Sequence, residues 1–150
     1  MTRSLFNCER GNSFVELAFI LPVLVMLLIG MVDMSRAASA KLQVVQVAQR
    51  TIERVQRDNF QYSQLSSLQA DAVAAGGSGT SATAAAWLEC GTSTNRLSYT
   101  SNCAANQAYA RFVEVSVTRS FTPVFQTDWF PGATANGTVP LQGRAVVRVQ

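Results

Sequence analysis

Glu16 is the side chain with the most to explain, because it stands at the mouth of an uninterrupted apolar run over residues 17–32. An ionised acid carried into a bilayer costs about 2.5 to 3.5 kcal/mol on insertion scales, so an intramembrane carboxylate is read as a functional group with a counter-charge. The plainer alternative places Glu16 at headgroup depth, where water still reaches it. Little else in the sequence offers reactive chemistry. There is no histidine among the 150 residues, which removes the commonest general base and metal ligand. The serines therefore lack a base, Glu89 and Glu114 have no recognisable partner, and Asp58 and Asp71 fall at helix edges. Cys90 and Cys103, twelve intervening residues apart, leave a tetrahedral zinc short of ligands. No catalytic residue, metal site or cofactor is expected, and Trp87, Tyr109 and Trp129 are read as packing residues rather than as a glycan-binding patch.

The element that carries Glu16 is set by length. A helix over residues 14–32 covers about 28 Å, close to the ~30 Å hydrocarbon core of a bilayer. Arg10 and Glu16 bracket it on one side, Asp33 and Arg36 on the other. Pro22 and Gly30 lie inside, and both are tolerated in membrane helices. Arginine and lysine counts do not orient the span, since Arg3 and Arg10 precede it while Arg36, Lys41 and Arg50 follow. Long domains translocate largely regardless of such charge, so the C-terminal bulk is expected outside the cytoplasm. Ala38-Ser39-Ala40 also fits a signal-peptidase site, but the apolar run exceeds the usual 7 to 15 residues and charges stand just upstream.

A short basic leader ending in Gly11, then Asn12-Ser13-Phe14-Val15-Glu16 and an apolar run, resembles a prepilin. Arg10-Gly11, Val15-Glu16-Leu17-Ala18, Leu21-Pro22 and Gly30-Met31-Val32-Asp33 are similar to the opening of the TadE-like pseudopilins of tight-adherence (Flp) pilus systems. The order of Pro123, Phe125, Pro131-Gly132 and Ala145-Val146-Val147-Arg148-Val149 is similar to their tails. Asn12 departs from the small apolar or hydroxyl residue usual there. The resemblance implies cleavage between Gly11 and Asn12, leaving Glu16 as the fifth residue of the mature chain. It further implies that Glu16 meets the new α-amino group of an adjacent subunit, whose reference pKa of about 7.7 to 8.0 keeps it largely cationic at neutral pH. A paired buried charge is penalised far less than an unpaired one, so this arrangement rewards correct axial register.

Beyond the span the helix is expected to continue to residue 58, about 70 Å in all, with Leu42, Val45, Ala48, Ile52 and Val55 forming one apolar stripe. A second helix is expected over residues 60–75, with Ser63 as its cap and Tyr62, Leu65, Leu68, Ala72 and Val73 on one side. A flexible connector follows over residues 76–81. Period-two alternation marks three strands, at residues 84–90, 112–118 and 144–149, with an aromatic-rich loop from Phe121 to Gly132 between the last two. Cys8 falls in the leader, and the remaining pair, Cys90 with Cys103, is expected to bridge in an oxidising compartment.

The expected architecture is thus α+β: a leader at 1–11, a long helix at 12–58 whose transmembrane half is 14–34, and a periplasmic domain at 59–150. In it a long pilin-like spine packs against a short antiparallel sheet closed by one disulfide. The resemblance implies a minor pilin or pseudopilin of the bacterial inner membrane. Its partners would be a prepilin peptidase, other pilins and pseudopilins, and the inner-membrane assembly platform. Net charge +3 is spread too thinly to indicate nucleic acid. The competing expectation is a membrane-anchored or signal-peptide-secreted periplasmic binding protein in which Glu16 is incidental.

Overall fold

The computed structural model describes residues 12–92, 94–124 and 132–150, with side chains from residue 14 onward. Two compact units divide the chain, one ending at Arg36 and the other spanning Ala37–Gln150. Helix α1, Asn12–Arg57, contributes to both.

In the first unit α1 runs through Pro22 without a break. The proline removes one backbone donor, which a helix tolerates when the freed carbonyl finds another partner. Every large apolar side chain from Phe14 to Leu28 is exposed, and an 18-residue window of mean hydropathy 2.7 has none of its residues buried. Among the described residues this is the one helix long and apolar enough to cross a membrane. Asp33 is the exception to the exposure, only 2% accessible, and the Arg36 guanidinium lies 3.5 Å from its carboxylate one turn further on.

In the second unit the buried stripe of α1 is Val44, Ala48, Thr51, Ile52 and Val55, with Ala37, Ala40 and Val47 partly covered. Thr51 satisfies its buried hydroxyl by donating to the Val47 carbonyl at 2.8 Å. The stripe differs from the expected one at its start. Leu42 is 61% exposed while Val44 is 3%, because two residues turn the helix by about 200° and only one of the pair can face the sheet.

A 3₁₀ turn, Tyr62–Gln64, leads into α2, Leu65–Gly76. Ser63 does not cap α2. Instead the Gln64 side chain accepts from the Gln61 N–H at 3.0 Å, and Ser67 donates to the Gln64 carbonyl at 2.8 Å. Only Leu68 and Ala72 of α2 are buried; Tyr62 and Val73 are exposed, so the apolar face is narrower than the sequence suggested. Nor is residues 76–81 a loose connector. Gly77 and Gly79, both at φ 75°, turn the chain, and Thr80 Oγ1 donates back to the Gly76 carbonyl at 2.8 Å as the next strand begins.

Four strands form one antiparallel sheet: β1 Thr80–Cys90, β2 Leu97–Ser98, β3 Tyr109–Phe121 and β4 Val139–Arg148, in the order β2-β1-β3-β4. The expected alternation holds. Ala86, Val113 and Val147 stand in register, as do Ala84, Val115 and Ala145. This face meets α1 and α2 in one core that includes Leu68, Ala72, Val113, Val115, Val117, Phe121 and Leu141, so sheet and helices bury what neither could bury alone. Phe121 closes β3 opposite Val139 rather than opening a loop, and residues 125–131 of the expected aromatic loop lie outside the described residues.

At one point helix and sheet backbones nearly touch. A Cβ built on Gly143 would lie 2.6 Å from the Val44 carbonyl oxygen and 2.8 Å from Val45 Cα, so only glycine fits where β4 crosses α1.

Cys90 and Cys103 form a disulfide with Cα atoms 5.7 Å apart, joining the end of β1 to the segment that precedes β3. Closing a loop of this size contributes about 3 kcal/mol in the chain-entropy model.

Candidate assembly site on the N-terminal helix

Glu16 is the fifth residue of α1 and is exposed, flanked by Phe14 at 77% and Phe19 at 76% accessibility. The helix begins at Asn12, so residues 12 and 16 fall on one face by the i, i+4 relation, and Ile20, Val23 and Leu27 continue that face. No acid occupies the first turn, and among the described residues no cation stands beside Glu16. A carboxylate on an apolar surface is costly to carry into a bilayer unless water or a counter-charge meets it. Gly11 lies outside the described residues, as does Cys8.

Of the other acids considered from the sequence, Glu89, Glu114 and Asp71 are held by structural partners. Glu89 and Glu114 do have them, contrary to expectation. Glu89 accepts the Trp87 indole N–H at 2.8 Å. Glu114, its side chain 14% exposed, accepts from Arg144 Nη2 at 2.7 Å, with Arg96 at 3.9 Å. Asp71 pairs with Arg54 at 2.7 Å, tying α2 to α1. Trp87 is buried on the outer face of the sheet, stacked on its register partner Phe112 at 5.7 Å and covered by the Arg96 guanidinium at 4.0 Å. The alternation pattern placed Trp87 on that face but gave no sign that β2 and Arg96 would cover it. Tyr109 is half exposed beside Arg111, and Trp129 falls outside the described residues. Among the described residues no three acids or cysteines gather as a metal site.

A cleft that the sequence did not disclose lies between the end of α1 and the far end of the sheet. It brings Phe60, Tyr62, Tyr99, Arg111 and Arg148 together from four separate stretches of chain. Such a grouping has no local signature, because no two of its elements are adjacent in sequence except Phe60 and Tyr62.

Against known protein families, residues 11–52 match the model described as TadE-like protein. The match runs from the glycine before α1 through the apolar segment and most of the buried stripe, and ends before the sheet. No curated protein matches the chain, and no solved structure does.

Proposed function

We propose, from the TadE-like character of residues 11–52, that the protein is a minor pilin or pseudopilin of a Flp/Tad-type pilus. In this reading a prepilin peptidase cleaves between Gly11 and Asn12. The apolar helix then leaves the inner membrane for the filament, and the unit Ala37–Gln150 sits on the periplasmic side. The assembly platform and other pilins or pseudopilins are its partners, and its role is to enter or prime the fibre that serves adhesion, secretion or DNA uptake. No enzymatic step is assigned to it.

The observation that carries the reading is a coincidence inside the matched segment. A helix begins at Asn12, an exposed acid follows four residues later, and the apolar surface after it is uncovered. Cleavage at Gly11 would place a cation at the helix start, and Glu16 of a neighbouring subunit supplies its partner. Two charges that neutralise one another can enter an apolar bundle that neither could enter alone.

The proposal is tested by a photo-crosslinking residue at Leu21, 53% exposed on the helix. In filament-forming cells it should capture the helix of another pilin, and the product should vanish when the prepilin peptidase is inactive. Crosslinks to lipid alone, with and without the peptidase, would favour a simple membrane anchor.

A further inference from the structure

The cleft beyond the end of α1 has a volume of about 820 Å³ and lies wholly within the unit Ala37–Gln150. Its chemistry is one-sided. Arg111 and Arg148 line it, and no aspartate or glutamate side chain does, among the described residues. Arg111 is held rigidly, its guanidinium 5.4 Å from the Tyr99 and Tyr109 ring centroids and its Nη1 donating to Gln150 Oε1 at 2.6 Å. Its buried Nε has no acceptor. Arg148 Nε donates to the Gln150 main-chain oxygen at 2.9 Å, and neither arginine pairs with an aspartate or glutamate within the described residues. Two guanidiniums in one partly enclosed cleft, with no acidic side chain in its described lining, leave the space net positive and favour an anion.

The second feature is aromatic. Tyr62 stacks on Tyr99 with ring centroids 5.4 Å apart, and Phe60 meets Tyr99 edge-on at 5.9 Å. Tyr99 is therefore sandwiched, while Tyr62 is 45% exposed and leaves ring surface free. Side-chain amides of Gln56, Asn59 and Gln61 border the same space and offer both donors and acceptors. A flat aromatic surface, neutral amides and a pair of guanidiniums together fit a ligand with a ring, several hydroxyls and a carboxylate. A short acidic peptide would use the arginines but has no need of the stacking surface or the amides.

From this juxtaposition we propose that the cleft binds an acidic saccharide, its sugar ring lying against Tyr62 and its carboxylate against Arg148 and Arg111. The site does not depend on the assembly reading, since it uses no residue of the first unit.

The test is titration of the full chain in detergent micelles with tri-galacturonate. Saturable binding is expected, with neutral maltotriose about tenfold weaker for want of the charge-assisted hydrogen bonds. Arg148→Gln and Tyr62→Ala, both at exposed positions, should keep the circular dichroism spectrum and each weaken binding by about fivefold or more. Several results would overturn the proposal. These are no saturation, equal affinity for maltotriose, unchanged binding in both variants, or sulfate or tri-glutamate matching the acidic sugar. Binding seen only after Gln150 is removed would also overturn it, since Gln150 would then occupy the arginines itself.

Discussion

Replacing Glu16 with alanine is expected to leave membrane insertion intact or slightly improved while entry into filaments falls by roughly 100-fold. The two halves of this expectation come from different terms. In the membrane the acid is a burden of about 2.5 to 3.5 kcal/mol on insertion scales, so its removal cannot weaken the span. In the fibre the proposed partner amine remains. Removing one member of a buried pair leaves an uncompensated charge and costs about 3 to 5 kcal/mol, hence the large factor. Glu16→Gln should fail almost as badly, because it keeps the shape and loses the charge. The measurement is quantification of the chain in sheared filaments against the membrane fraction. If both fractions keep their wild-type ratio, Glu16 is incidental and the anchored-protein reading gains.

Gly143→Val is expected to be the most damaging single substitution in the globular unit. A Cβ at this position would meet the Val44 carbonyl oxygen at 2.6 Å and Val45 Cα at 2.8 Å, and these are backbone atoms that cannot swing aside as a side chain would. Overpacking of a core costs about 1 to 3 kcal/mol, and the backbone clash places this case at the upper end. For a unit of this size the melting temperature should drop by about 10 °C. Gln142→Ala, one residue earlier and exposed, serves as the control and should shift it little. A wild-type melting temperature for Gly143→Val would mean that β4 does not cross α1 as closely as described.

The α+β architecture was legible in the sequence because its strongest signals are long and periodic. The span over residues 14–32 announces itself by length, and Val113, Val115 and Val117 by alternation. Other features were hidden for physical reasons. In β1 the pattern is carried by Ala82, Ala84 and Ala86, and alanine is too indifferent to burial to mark where a strand begins. Thr80 and Ser81 therefore look like connector in the sequence although they open β1. β2 is two residues long, too short for any periodicity, and exists through its pairing with Trp87 and Leu88. Leu42 is a stronger apolar residue than Val44, yet Val44 is buried, because the close approach at Gly143 selects the helix face. Glycine inside a strand suggests close backbone approach, but the sequence does not say approach to what.

The candidate site divides in the same way. Glu16 could be singled out because an acid at the mouth of a membrane-length run is costly once carried into the bilayer, an inference that needs only local sequence. The Cys90–Cys103 pairing needed only that two cysteines remain once Cys8 is assigned to the leader, and the two are bonded. The partners of Glu89 and Glu114 could not be named, because Trp87 reaches Glu89 across its own strand's outer face and Arg144 comes from another strand. The Tyr62–Tyr99–Arg111 grouping required the whole tertiary arrangement.

The central claim is that a new amine is created at Asn12 to meet the acid at Glu16, and the intact mass of the protein isolated from membranes and from filaments tests it most directly. The account predicts a chain that begins at Asn12, having lost residues 1–11. A filament-borne chain that still carries those residues, or one cut after Ala40, would contradict it.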